Sequence, residues 1–232
     1  MRSFWRTLGC GPLRDIGLVC LAVGLTSVSY GAIAVASGFP VWFPALLGLL
    51  VLAGSAEFMF TGILAAGGGV LAALLASLLV NARHLPYGLA IPEVTRDGLS
   101  GWRRLVATHV MNDESVLFAL AQHDLARKRA AYWACGLGVL VVWPLGAFCG
   151  SLLGAVIPDP DALGLDAMFP AALLALVLPA LRVRGPRRAA LAGTALALCL
   201  TPFLPVGLPV LLALAGLVLL RGTPGPEPRE AS

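Results

Sequence analysis

Charge is the scarcest property of this chain: Asp, Glu, Lys and Arg make up 12% of its 232 residues, against 59% apolar residues. A soluble domain carries roughly 25% charged residues, so the composition excludes an ordinary water-facing surface and indicates a polytopic membrane protein. Lysine is nearly missing, with Lys128 alone among sixteen basic residues. A basic nucleic-acid-binding face has no support, because the arginines gather instead at the ends of apolar runs, as membrane orientation requires. There are three histidines and five cysteines, the latter at Cys10, Cys20, Cys135, Cys149 and Cys199. They form neither CxxC nor mixed His/Cys spacings, so no metal site, cofactor motif or disulfide framework is expected, and the cysteines read as small packing residues. Length is also limiting. At about 20 residues per span, the chain leaves no room for a soluble catalytic domain beside its apolar runs.

What is present is one apolar run after another. The expected fold is all-α, a polytopic membrane protein of about seven or eight hydrophobic helices, one of them polar or amphipathic, with room for broken helices or a repeat. A cytoplasmic N-terminal segment (1–15) precedes a single transmembrane domain (16–221) and a disordered, proline-rich tail (222–232). "AVAS" (34–37) imitates a signal cleavage site. The run over 16–36, however, exceeds the roughly 7–15 residues of a signal h-region and reads as a retained helix. A second run covers 41–64 and contains Glu57, and "AAGGG" (65–69) forms a hinge. A third run covers 70–91, rises roughly 33 Å and carries "LLVNARHLPYG" (78–88). Ending that helix at Val80 would leave it too short to cross, so Asn81, Arg83 and His84 are placed within the membrane.

Residues 102–122 suit either a surface amphipathic helix or a polar span lining a cavity. Charge asymmetry favours a crossing that keeps 127–129 ("RKR") inside with both termini and leaves Arg96, Arg103 and Arg104 outside. Further spans are expected near 130–157, 168–182, 188–203 and 206–220. A Gly-x-Pro-Val start shared by 38–54 and 207–220 suggests an internal repeat.

Helical phase groups the polar residues of the third run. At about 100° per residue, Ser77, Asn81, Arg83, His84 and Tyr87 share an arc of roughly 160°, opposite Leu78, Leu79, Ala82 and Leu85. Pro86 withholds a hydrogen bond from the Ala82 carbonyl and predicts a kink there. Glu57, Asp113 and Glu114 are the acids that could answer Arg83, while His109 and Asp113 stand at i, i+4. Charged groups near midplane are costly and call for pairing or protonation. They admit two readings: a buried lock that only orients helices, or a site for a small zwitterion with an apolar side chain. In the second, Arg83, Asn81, Glu57 and Tyr87 bind substrate or gate its path, and His84, Asp113, Glu114 and His109 couple protons.

The elements "AGSAEF" (53–58), "LLVNARHLPYG" (78–88) and "NDESVLFAL" (112–120), with "GLDAMFPAALLAL" (164–176) after them, resemble the AzlC family of branched-chain amino-acid exporters. The resemblance covers roughly 16–220. It implies a plasma-membrane permease subunit exporting valine, leucine and isoleucine, with methionine as a further substrate; coupling to the proton motive force is expected from the titratable groups above. It also implies a small AzlD-like membrane protein as partner. The family's motif positions fall on Glu57, Asn81, Arg83, His84, Asp113, Glu114 and Asp166. Position 57 is often Gln in relatives. Two other classes compete. "GLSG" (98–101) fits the Ser motif of intramembrane proteases, with Ser100 as nucleophile and His84 or His109 as base. A non-transporting assembly subunit is the other.

Overall fold

The structure, a computed structural model, describes residues 7–156, 174, 178, 181–204 and 208–220. Among these, every regular element is helical: α1 (Cys10–Ala36), α2 (Phe43–Val51), α3 (Gly54–Ala65), α4 (Val70–Asn81), α5 (His84–Ala90), α6 (Pro92–Thr95), α7 (Gly101–His109), α8 (Asp113–Leu120), α9 (Leu125–Val156), α10 (Arg184–Leu200), α11 (Leu208–Leu212) and a 3-10 helix, Ala213–Leu220. Three stretches among the described residues are long and apolar enough to cross a membrane: Cys10–Ala36, Val70–Ala90 and Leu125–Val156.

The most extensive packing joins α1 to α9. Small residues line the seam in register: Gly138 meets Cys20, Gly24 meets Val142, Gly146 meets Ser27, Gly150 meets the Val28 backbone and Gly154 meets the Ala32 backbone. Residue numbers rise together on both helices, so α1 and α9 run parallel and share a near end and a far end. Lipid tails supply no hydrophobic drive for this contact, which therefore depends on close backbone approach. A Cβ on Gly154 would lie 2.6 Å from the Ala32 carbonyl oxygen.

Between these helices the chain forms two half-depth hairpins that enter from opposite ends. At the far end, backbone hydrogen bonds from Ser37 to Ile33 and from Phe39 to Ala34 close the turn after α1. The chain goes inward as α2, and Leu52, in the left-handed region at φ 51°, turns it into α3. Ile63 of α3 packs on Ala73 and Ala76 of α4. The α4–α5 stretch then descends to the near end, where Lys128 Nζ meets Glu93 at 3.1 Å. The α3–α4 turn therefore lies at the far end, and α2–α3 enters and leaves on that side.

The second hairpin enters from the near end. Arg129 donates to the carbonyls of Glu93 and Asp97 at 2.8 and 2.9 Å, fixing the loop before α7 beside the start of α9. After α8, Gln122 Oε1 accepts from Arg127 Nε at 3.1 Å, at the same end. Midway, the Val110 carbonyl lies against Gly136, three turns into α9. Residues 102–122 thus re-enter rather than cross, which corrects the expected span. The reason is local. Asn112 and Ser115 form a reciprocal capping box that starts a new helix at Asp113. Arms of nine and eight residues rise only about 12–14 Å each, half of a bilayer core. Charge asymmetry improves as a result, because Arg96, Arg103 and Arg104 join 127–129 at one end instead of opposing it.

The run at 41–64 is likewise two arms, not one span. Each hairpin is followed by a crossing stretch, α2–α3 by α4–α5 and α7–α8 by α9, and the two units run in opposite directions. This is an inverted arrangement. It does not follow the Gly-x-Pro-Val echo, whose copies lie in α2 and in the α11 region. Towards the C-terminus, α10 packs on the 3-10 helix, with Gly193 against the Ala213 backbone. Asp166, most of the expected span near 168–182 and the tail 222–232 lie outside the described residues.

Candidate functional site

The face shared by Arg83 and Tyr87 and the helix start at Asp113 together assemble the polar cluster. Pro86 is the third residue of α5, where its missing N–H costs nothing because the first turn has no partner for it. At 82–83, one turn before Pro86, the regular hydrogen-bond pattern lapses while both residues stay right-handed helical (φ −58° and −56°), so α4 and α5 continue as one interrupted stretch. The Ala82 carbonyl is not freed: it accepts from the Leu85 N–H at 3.0 Å. His84 Nδ1 lies 2.9 Å from the Asn81 carbonyl, so the imidazole covers the end of α4.

Arg83 stands at this interruption and meets Asp113, the first residue of α8, with Nη1 to Oδ2 at 3.0 Å. Tyr87, one turn into α5, donates its hydroxyl to Asp113 Oδ1 at 2.5 Å. Asp113 is thus held by a guanidinium, a phenol and the positive end of α8. The pair is accessible, with side chains 26% and 24% exposed. Of the three acids that could answer Arg83, Asp113 does so. Glu114 sits within the field of Arg83 but makes no salt bridge among the described residues.

Glu57 does not reach Arg83. It is 1% exposed, and it accepts from the Ala53 N–H and from Trp143 Nε1, each at 2.9 Å. Trp143 lies over Gly48 and Gly54 and stacks on Tyr30, with centroids 5.9 Å apart. The sequence reading missed Trp143. Its position deep in a long span, away from the interfaces where tryptophan concentrates, was the available signal.

His109 and Asp113 do not form an i, i+4 pair, because the turn at 110–112 separates α7 from α8. His109 Nε2 instead lies 2.9 Å from the Leu49 carbonyl, near the tip of the other hairpin. The two hairpins therefore touch, tip to tip. Several buried polar atoms nearby have no partner: Ser77 Oγ, Asn81 Oδ1, Arg83 Nε and Asn112 Nδ2. Ser100 precedes the first residue of α7 and His109 is its last, about 13 Å apart, so these two make no nucleophile–base pair. At the near end, its own backbone amide and then Lys128 hold the Glu93 carboxyl below the usual carboxylate range.

The family model described as AzlC protein matches residues 18–157, more than half of the chain. An uncharacterized membrane protein of Haemophilus influenzae is 30% identical over 132 residues, covering 56% of this chain and 54% of the relative. The branched-chain amino acid transport protein AzlC of Bacillus subtilis is 26% identical over 153 residues, covering 65% and 59%. An uncharacterized membrane protein of Helicobacter pylori is 24% identical over 139 residues, covering 59% and 60%. The chain thus spans between 54% and 60% of the length of these relatives. No solved structure matches it.

Proposed function

The chain belongs to the AzlC family, and from that premise we propose that it is the large subunit of a secondary exporter of branched-chain amino acids. Valine, leucine and isoleucine are the expected substrates, with methionine as a further one. The cell membrane is the expected location, the near end cytoplasmic, and a small AzlD-like membrane protein the expected partner. The observation that carries this reading is the Arg83–Asp113 pair, formed where an interrupted spanning stretch meets the tip of a half-depth hairpin. Substrate sites at discontinuous helices near midplane are a recurrent device of secondary transporters.

Arg83 offers a bidentate fork to the substrate carboxylate, which replaces the carboxylate of Asp113. Tyr87 holds Asp113 aside during the exchange, and Asn81 supplies a further polar contact. Displaced Asp113, with Glu114 beside it, becomes the proton acceptor. His84, covering the Asn81 carbonyl, relays protons between this group and water. His109, bonded to Leu49, ties one hairpin tip to the other and is a gating contact in this scheme. An inverted pair of hairpins suits alternating access, because opening one path requires only that one tip withdraw.

Loading cells with branched-chain dipeptides tests the function. Cells expressing this chain with its partner should hold less intracellular valine, leucine and isoleucine than cells without it. Equal pools in both would refute export, and a purely structural subunit would give that result with partner abundance still altered.

A further inference from the structure

A cavity of about 170 Å³ lies between the first hairpin and α4, walled by Leu47, Val51, Ala56, Phe60, Leu74 and Leu78, with Glu57, Ser77 and Asn81 supplying its polar groups. It is separate from the Arg83–Asp113 pair, neither of whose members lines it.

Three observations define what fits. First, the buried carboxylate of Glu57 has no cation within salt-bridge distance among the described residues. Its hydrogen bonds come from two neutral donors, the Ala53 amide and the Trp143 indole. Each carboxylate oxygen can accept again, since a carboxylate offers about four lone-pair sites. Second, Ser77 Oγ and Asn81 Oδ1 are buried without partners. Both stand on the cavity wall, and both can accept from an N–H donor. Third, the remaining wall is aliphatic or aromatic and carries no basic group that could hold an anion.

We propose that this cavity is a subsite for a primary ammonium group on a short aliphatic body. The ammonium, with three donors, sits between Glu57, Ser77 and Asn81. The branched alkyl part lies against Leu47, Phe60, Leu74 and Leu78. A cavity of about 150 Å³ holds six carbon atoms arranged as a benzene ring. The alkyl group and amine of a branched-chain amino acid are of that size. The inference rests on the transport reading only in naming that source, and it deepens it: the amino and alkyl end of the substrate is recognised apart from its carboxylate. Asn81 lines the cavity two positions before Arg83, which places the two half-sites at adjoining levels of one helix.

The test uses the purified full-length protein in detergent free of amine lipids. Isoamylamine, isoamyl alcohol and isovalerate share one alkyl group and differ in head group. Equilibrium binding should favour isoamylamine over both others by at least tenfold. Glu57→Gln should reduce the amine to the level of the alcohol. Unchanged isoamyl alcohol binding by Glu57→Gln shows that this variant is folded, and Leu74→Trp, at an exposed wall position that tolerates bulk, should block the amine and the alcohol alike. Isovalerate binding as tightly as the amine would overturn the proposal, as would undiminished amine binding to Glu57→Gln or no amine binding at all. Amine binding without amino-acid transport would leave this subsite standing and remove the exporter reading. Transport without amine binding would do the reverse.

Discussion

Arg83 and Glu57 show how differently two intramembrane charges are accommodated. Arg83 has an ionic partner and partial exposure, whereas Glu57 is buried on neutral hydrogen bonds alone. Arg83→Lys keeps the charge but loses the planar fork. Transport should fall at least tenfold at unchanged abundance, measured as leucine flux per protein in vesicles, and unaltered flux would remove the bidentate role. Trp143→Phe deletes one donor to a buried carboxylate, a loss of about 2 kcal/mol in thermal or denaturant unfolding. In the background of Glu57→Gln the same substitution should cost less than half as much, because a neutral amide needs the donor less. Equal costs in both backgrounds would show that Trp143 contributes packing only. At this scale the sequence was partly legible. The expense of charge in lipid singled out Arg83, Asp113 and Glu57, but which acid met the arginine depended on the helix start at Asp113. The partnership of Trp143 with Glu57 spans 86 positions and had no local trace.

Elements are where the sequence misled most and for an identifiable reason. At 41–64, hydropathy averaged over about 20 residues cannot tell one span from two half-depth arms, since both are apolar, and at 102–122 the charge asymmetry was compatible with a crossing. The punctuation was nevertheless present. Asn112 with Ser115 is an N-cap pair, and Pro86 belongs in the first turn of a helix rather than its middle. The turn at Leu52 carried no such mark, being a left-handed residue without glycine. The α1–α9 seam makes its own prediction. Gly150→Leu forces a side chain into the Val28 backbone, which should lower stability by about 1–3 kcal/mol as overpacking. Gly62→Ala, whose added Cβ meets nothing within 4 Å, should be neutral or slightly stabilising. Thermal unfolding of both variants in one detergent checks the contrast, and equal behaviour would argue against the parallel seam.

For the whole molecule, the opposed hairpins replace a simple serpentine of spans and set a topology that labelling can read. Single cysteines at Asp97, Asp124 and Gly67 in a cysteine-free background should separate the alternatives. Positions 97 and 124 should react with a membrane-impermeant maleimide from the same side, and position 67 from the other. A crossing at 102–122 would instead put 97 and 124 on opposite sides. The near end also gathers Arg96, Arg103, Arg104 and the 127–129 cluster, so the same side should prove cytoplasmic. The all-helical membrane class followed from composition. The inverted arrangement did not, because it lives in directions of chain travel and not in residue identity.

Leucine counterflow in proteoliposomes containing the chain and the proposed AzlD-like partner tests the central claim most directly. Vesicles preloaded with unlabelled leucine should accumulate labelled leucine transiently, with glycine and isovalerate failing to compete. Asp113→Asn, which leaves Arg83 without its counter-charge, should reduce that accumulation at least tenfold while the protein still reconstitutes. Wild-type vesicles that show no counterflow, or Asp113→Asn vesicles that match them in full, would contradict the account.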